Sequence, residues 1–373
     1  MPTIIDLERC VANLPAPERH YFERIFRVDS VVGITRPPRS MYEWIQRQFG
    51  EVRELLQQTV VKVTNLVTME GALFNELRAQ RPMEYRDRMA LEAQLIDGAR
   101  IDPFRNPWEE TPEDPFGRIR GRYCLTGGNI AKYDGFHGVI VFDEPNPLRF
   151  TPEQVADYVD TGLFWMKKAH SVDPQACYPL FIWNCLWKAG ASIQHGHAQV
   201  TLTRGLHYVK VEALRQAALA YRKEHGNSYF DDLYAVHAAL GLGFERDDTR
   251  ALVYLAPLKE KETIVIAPGP TPAFKAMLYD VLACLRDRVG TVSFNVAIYM
   301  PPLAATPEDW SGFPTIARVV DRGDPRARPS DMGSMELYAQ SVVSSDPFKV
   351  AEALHRHLEV EEFGDEYILG GRQ

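Results

Sequence analysis

The sequence predicts an α+β fold with mostly antiparallel sheet, and three observations carry that reading. Apolar runs of strand length, GFHGVIVF at 135–142 and TIVIAP at 263–268, are separated by long helical stretches. After each run a Thr-Pro pair opens a helix, at Thr151-Pro152 and Thr271-Pro272, with Thr as N-cap and Pro at the first helical position. Neither a G-x-G-x-x-G fingerprint nor a P-loop is present, and Gly127-Gly128 makes neither.

Taken in order, residues 1 to about 80 read as mostly helical. Met41, Trp44, Ile45, Phe49, Val52, Leu55 and Leu56 recur at helical spacing within a stretch running from Ser40 to Val67. Residues 101–118, rich in Pro, Asp and Glu, read as an ordered irregular loop. The strand at 135–142 is followed by a helix from Thr151 to about Ala169 and by strands at 178–186 and 194–202. The second half repeats the order: the strand at 263–268, a helix from Thr271 to about Val289, then strands at 292–300 and 314–320. Strand, Thr-Pro helix, strand, strand thus occurs twice, which points to an internal duplication.

Composition narrows the function. A chain of 373 residues, 45% hydrophobic and 25% charged, has the balance of an ordinary globular protein and enough apolar material for a large core. A net charge of -8 argues against non-specific nucleic-acid binding, while leaving room for a local cationic pocket. There is no apolar run of about 18 residues to span a membrane. The first 20 residues mix charges where a signal peptide needs a clean apolar stretch. Five scattered cysteines without C-x-x-C fit a reduced, cytoplasmic protein with no Cys-based zinc site.

The segment with chemistry in it is AGASIQHGHAQVTL at 189–202. On a strand His195, His197 and Gln199 share one face, about 7 Å apart between alternate residues, and Gly196, Ala198 and Val200 pack on the other. The small-residue turn Gly190-Ala191-Ser192 can bring N–H groups and a hydroxyl to an anion. A neutral imidazole is a nucleophile at pH 7 without a separate base. A flanking glutamine can donate to a phosphoryl oxygen but cannot act as a general acid, which suits a leaving group that is already a stable phosphate.

This segment resembles the active-site strand of the histidine-triad superfamily, in particular its galactose-1-phosphate uridylyltransferase branch, whose motif is H-x-H-x-Q. The resemblance spans roughly residues 75 to 358 and implies two fused triad-like repeats. The expected division is a helical N-terminal extension at 1–74, a first repeat carrying the site at 75–205, and a degenerate second repeat at 206–373. It also implies a homodimer. It places the covalent nucleotidyl intermediate on His197, with His195 and Gln199 beside it. LRAQRP at 77–82 is similar to the family's R-A-x-R-P element and implies phosphate contacts for Arg78 and Arg81. Asn129 fits the asparagine that contacts the nucleoside, Asn184 a phosphate-side asparagine, and Ser192 the serine on a phosphoryl oxygen. His137 reads as a packed strand histidine, and the aromatic residues around Trp183 and Trp187 as core.

The departures from the family matter too. Where zinc-bearing members have C-P-x-C, this chain has Asp102-Pro103-Phe104-Arg105, and a third ligand position falls at Pro145. Only His195 remains of four ligands, so no zinc, iron or other cofactor is expected. The His-x-His of the second repeat is missing where Ala317-Arg318-Val319 stands. The sugar-binding G-x-E element is one residue longer, Gly333-Ser334-Met335-Glu336, leaving Glu336 as the expected hydroxyl acceptor. RGDPRAR at 322–328 reads as a solvated loop or as a contact for a phosphorylated acceptor.

The expected function is nucleotidyl transfer from a nucleoside diphosphate sugar to a sugar 1-phosphate by a ping-pong route. A phosphorylase using inorganic phosphate is the alternative on the same residues. A non-catalytic nucleotide-binding protein is the alternative from another class.

Overall fold

The computed structural model describes residues 2–75, 77, 102–327 and 330–369. The N-terminal part begins with helices α1 (Leu7–Ala12) and α2 (Ala16–Ile25) and enters strand β1 (Phe26–Ile34). The helical spacing after Ser40 is realised as α3 (Tyr42–Phe49) and α4 (Val52–Leu56). It does not continue to Val67. Gln57–Asn65 is strand β2, where the β-branched run Thr59-Val60-Val61 favours extended backbone. With β3 (Gly71–Phe74) and, from the far end of the chain, β13 (Ser341–Val343), these strands make a four-stranded sheet in the order β1-β2-β3-β13. The N-terminal helices are therefore accompanied by a sheet that their periodicity did not indicate.

The main sheet has nine strands. The first four come with one helix: β4 (Cys124–Gly128), β5 (Phe136–Phe142), α5 (Pro152–Val172), β6 (Ala176–Asn184) and β7 (His197–Arg204). Helices α6 (Val209–His225) and α7 (Tyr229–Ala239) then lead to β8 (Gly243–Arg246). The pattern resumes with β9 (Thr249–Val253), β10 (Glu260–Ala267), α8 (Pro272–Asp287), β11 (Phe294–Tyr299) and β12 (Thr315–Asp321). The strand order is β4-β5-β7-β6-β11-β12-β10-β9-β8. Every registered pair in it is antiparallel.

Outward from the centre, β6, β7, β5, β4 on one side match β11, β12, β10, β9 on the other. A two-fold axis through the central pair Ile182–Ala297 maps Gln199 onto Arg318 and Val139 onto Ile264. It carries His197 onto Ile316. The Thr-Pro helices occupy equivalent places. Thr151 accepts from the Gln154 N–H at 3.3 Å and Thr271 from the Phe274 N–H at 3.2 Å, so each helix start is satisfied by its own cap.

One face of the sheet is closed by these helices. Trp165 of α5 is fully buried and lies over Gly138, where a Cβ would sit 2.6 Å from the indole; a glycine is needed there for helix and strand to meet. Ala198, Val200, Phe181 and Trp183 line the same covered side. The opposite face carries His197, Gln199 and His137.

In the second unit that opposite face is filled. Arg318, at the Gln199 position, bonds to Glu262 at 2.6 Å and to Glu70 from the β2–β3 turn at 2.6 Å. Tyr254 also donates to Glu70 at 2.8 Å, and Asn65 donates to Tyr229 and Tyr254. The small sheet is thus pinned onto the second unit by a buried polar network. No helix among the described residues is long and apolar enough to cross a membrane.

Candidate active site

The H-x-H-x-Q segment leads into β7, which begins at His197 rather than at 194, so His195 stands in a bend just before the strand. Gly196 brings the chain close to the end of β5: its N–H donates to the Pro145 carbonyl at 2.9 Å and its carbonyl accepts from the Phe142 N–H at 2.9 Å. A Cβ here would stand 2.7 Å from the Phe142 ring and 2.9 Å from the Glu144 carbonyl, so the residue between the two histidines has to be glycine.

His197 is buried, and its Nδ1 donates to the carbonyl of His195 at 2.7 Å. That bond fixes the Nδ1–H tautomer and leaves the Nε2 lone pair without a partner among the described residues. Burial lowers the basicity of the ring below the ordinary 6.5, opposed by the bond to His195, so the imidazole is neutral at pH 7.

His195 is engaged on both sides. Nδ1 meets Asp102 Oδ2 at 2.8 Å and Nε2 meets the Phe142 carbonyl at 2.9 Å. The other carboxylate oxygen of Asp102 accepts from the Phe104 N–H at 3.0 Å, which turns the Phe104 ring edge-on to His197 with centroids 5.1 Å apart. Asp102 opens the 102–105 segment, and its carboxylate clips that segment to His195. These residues do not fit a zinc site: the histidine that would serve as ligand has no free nitrogen. Among the described residues no group of three or more His, Cys, Asp or Glu could hold a metal.

Three amides lie on the open face around His197. Gln199 follows it by two residues, and its Oε1 accepts from His137 Nε2 at 2.9 Å. Ile182 faces Gln199 across the β6–β7 ladder, and the same register carries Asn184 alongside His197. Asn184 Oδ1 accepts from Asn295 Nδ2 at 2.6 Å. Asn129, just past β4, uses its Oδ1 to accept from the Ala131 N–H at 3.0 Å. All three oxygens are therefore taken by the protein, and what remains toward a ligand is N–H. Ser192 adds an exposed residue in the turn before the strand, next to Gly190, whose φ of 98° is left-handed.

His137 is not idle packing. The Tyr133 N–H donates to its Nδ1 at 2.9 Å and the Tyr133 ring stacks on it at 4.4 Å. Burial depresses its pKa, with the Gln199 bond opposing. Nor is Arg322 a solvated residue: it is half-buried, donates to Asn295 Oδ1 at 2.6 Å and pairs with Asp331 at 2.7 Å. Glu336 lies in a cavity of about 330 Å³ shared with Lys259, Arg322 and Asp331. Its Oε2 accepts from the Gly333 N–H at 2.8 Å and so caps helix α9 (Ser334–Tyr338). Arg78 and Arg81 fall outside the described residues.

Sequence reading missed Asn295, named Asp102 without a partner, placed Arg322 in a segment read as solvated or as an acceptor contact, and read His137 as packing. Only His137 left a signal, since it alternates with Val139 and Val141 on the strand next to the motif. A larger cavity, of about 660 Å³, lies at the end of β10 and the start of β12, lined by Arg222, Arg250, Phe230 and Phe313. It is the counterpart of the His195 end of the first unit, and with Ile316 in the His197 position it has no nucleophile.

No protein-family model and no curated protein matches the chain. Solved structures do. An ADP-glucose phosphorylase from Arabidopsis thaliana, solved with bound ADP-glucose, aligns with a TM-score of 0.58 at 15% identity, over 77% of this chain and 95% of that one. A uridylyltransferase aligns at 0.54 with 16% identity, over 67% and 88%. A GALT-like protein from Arabidopsis thaliana aligns at 0.54 with 14% identity, over 68% and 91%. With its duplicated sheet and paired Thr-Pro helices, the chain shares the fold of these ADP-glucose phosphorylase and uridylyltransferase structures.

Proposed function

We propose that this protein is a nucleotidyltransferase that takes a nucleoside monophosphate from a nucleoside diphosphate sugar onto His197. The observation that carries the reading is the free Nε2 of a neutral, buried imidazole beside amides that offer only donors. A nucleophile ringed by N–H groups suits an anionic electrophile. The ADP-glucose bound to the neighbouring phosphorylase supports a nucleotide sugar as that substrate.

His197 Nε2 attacks the α-phosphorus, a P–N bond forms, and the bond from that phosphorus to the bridging oxygen breaks. The electron pair leaves with the sugar 1-phosphate, which needs no proton. The Nδ1–H stays on the His195 carbonyl throughout and stabilises the charge that develops on the ring. Gln199, Asn184 and Ser192, with Arg78 and Arg81 assigned on sequence alone, hold the phosphoryl oxygens, and Asn129 holds the nucleoside. In the second half-reaction an oxygen of the acceptor attacks the phosphorus and the P–N electron pair returns to Nε2. The first repeat, within 75–205, carries this chemistry, and the second supports it.

The acceptor divides two readings, a sugar 1-phosphate or inorganic phosphate.

Intact-protein mass spectrometry after brief incubation with ADP-glucose, UDP-glucose and related donors, without acceptor, tests the proposal. A gain of one nucleoside monophosphate is expected, absent in His197→Ala. Binding without an adduct would instead mark a nucleotide-binding protein without turnover, and neither binding nor adduct would sink the nucleotide-sugar reading. Supplying phosphate or glucose 1-phosphate to the isolated adduct then separates the two acceptors by product.

A further inference from the structure

We propose that His137 and Asn295 are positioning residues that lock the amides of Gln199 and Asn184 with their nitrogens toward the ligand. The inference rests on the function proposed above and deepens it. An amide side chain can turn over by 180° at little steric cost, and then presents an acceptor where a donor stood. Beside a phosphoryl group that inversion replaces an attractive contact by a repulsive one, so a cradle made of amides needs something to hold them.

Each lock ends on a group that cannot reverse its role. The Tyr133 N–H can only donate, so the His137 Nδ1 facing it at 2.9 Å has no proton. A neutral ring then has its proton on Nε2, and the Gln199 atom at 2.9 Å from it has to be oxygen. On the other side Arg322 can only donate, so the Asn295 atom 2.6 Å from it is oxygen. The Asn295 nitrogen then faces two acceptors, the Ala189 carbonyl at 2.8 Å and Asn184 Oδ1 at 2.6 Å. Both locks finish with an –NH2 group turned outward. Asn129 follows suit: its nitrogen lies 3.2 Å from the protonated Nε2 of His137, donor against donor, and gains no bond there.

The second lock crosses between the two structural units. Asn184 belongs to β6 of the first unit, whereas Asn295 and Arg322 belong to β11 and the end of β12 in the second, with Asp331 holding the guanidinium by two bonds of 2.7 and 3.0 Å. The second unit, which has no histidine nucleophile of its own, therefore sets the orientation of a donor in the first. The motif strand alone does not specify the cradle.

Double-mutant cycles on adduct formation with ADP-glucose test this. Asn295→Asp keeps a partner for Arg322 but makes Asn184 turn its nitrogen inward and its oxygen to the ligand. The expected loss is about 100-fold, comparable with removing one preorganised donor, and no further loss appears when Asn295→Asp is added to Asn184→Ala. For the other lock, His137→Leu slows the wild type but not Gln199→Ala, and His137→Gln, which offers an N–H at similar reach, restores the rate. A loss that persists in the Asn184→Ala or Gln199→Ala background would overturn the proposal.

A measurement that needs no turnover keeps the test apart from the proposed function. In ¹⁵N-labelled protein without ligand, two-bond N–H correlations assign the tautomer of His137, identified by its disappearance in His137→Gln. A bare Nδ1 and protonated Nε2 are expected. A protonated Nδ1 would reverse the Gln199 amide and end the argument, whether or not wild-type protein forms an adduct.

Discussion

Asp102 and His195 form a buried pair, with Oδ2 2.8 Å from Nδ1 and neither side chain more than 6% exposed. The other ring nitrogen faces the Phe142 carbonyl at 2.9 Å, so both partners of His195 are acceptors. The pair joins the 102–105 segment to the strand end that carries His195 and His197. Asp102→Ala leaves a buried nitrogen of His195 without its partner and is expected to cost about 1–3 kcal/mol in urea unfolding. Asp102→Asn, which keeps an acceptor oxygen, is expected to cost less. Treatment with a chelator is expected to leave the unfolding midpoint unchanged; a drop reversed by zinc would show that the pair does not act as the clip.

Gln199→Ala is expected to slow adduct formation by roughly 10²–10³-fold, the effect of losing one fixed donor at a developing charge. Gln199→Glu should be slower still. His137 would hold one carboxylate oxygen and the other would face the phosphoryl group. Single-turnover rates of the two variants, compared at saturating donor, check the order; equal rates would mean that the outward amide nitrogen has no part in the step.

The acid limb of the reaction follows from His197. Burial holds its pKa below 6.5, and only the unprotonated Nε2 can attack. The single-turnover rate is therefore expected to be flat through pH 7 and to fall on acidification only below pH 6.5. A limb centred above 6.5 would point to a different titrating group.

Gly196→Ala tests the backbone approach between the two histidines. The new methyl would press on the Phe142 ring at 2.7 Å and on the Glu144 carbonyl at 2.9 Å. Backbone cannot yield as a flexible side chain does, and a cost of about 1–3 kcal/mol is expected, together with loss of adduct as His197 is displaced. Urea titration and intact-mass measurement on one sample read both effects.

Acid stability is set by histidines away from the site. Burial pushes His237 down to about 4, and His207 likewise to about 4, from the ordinary 6.5. His237 is satisfied only when neutral, donating from Nδ1 to the Leu233 carbonyl at 2.7 Å and accepting the Leu255 N–H on Nε2 at 3.3 Å. Between those two pKa values the unfolded chain binds more protons than the folded one. Stability is thus complete above about 6.5 and declines as pH falls toward 4, by on the order of 3 kcal/mol for each ring. Unfolding free energies across this range should show the slope, and His237→Gln should flatten part of it.

Much of this protein is legible locally. Thr-Pro pairs and apolar runs located both helices and the strands beside them, because caps and β-branched alternation act within a few residues. β2 was not legible: helical spacing up to Leu56 runs into TVVKV without a Gly or Pro between, and only pairing with β1 and β3 decides the change. His197 and Gln199 were readable as one face of a strand, since side-chain alternation is a property of the strand itself, whereas His195 stands in a bend before β7. Glu336 shows the opposite case. Its position in sequence suggested a sugar contact, and its capping bond depends on how α9 begins.

The sequence by itself determined the α+β class, the duplication and the alternation that puts His197 and Gln199 on one face, all of which rest on short-range pattern. The tertiary structure alone decided that Asp102 closes on His195, that His137 and Arg322 orient the amides, and that Arg318 fills the second unit's equivalent place. These are contacts between groups as far as 248 positions apart in the chain, as for Arg318 and Glu70. Hydrogen-bond direction depends on which donor meets which acceptor in space, and no spacing along a strand encodes that.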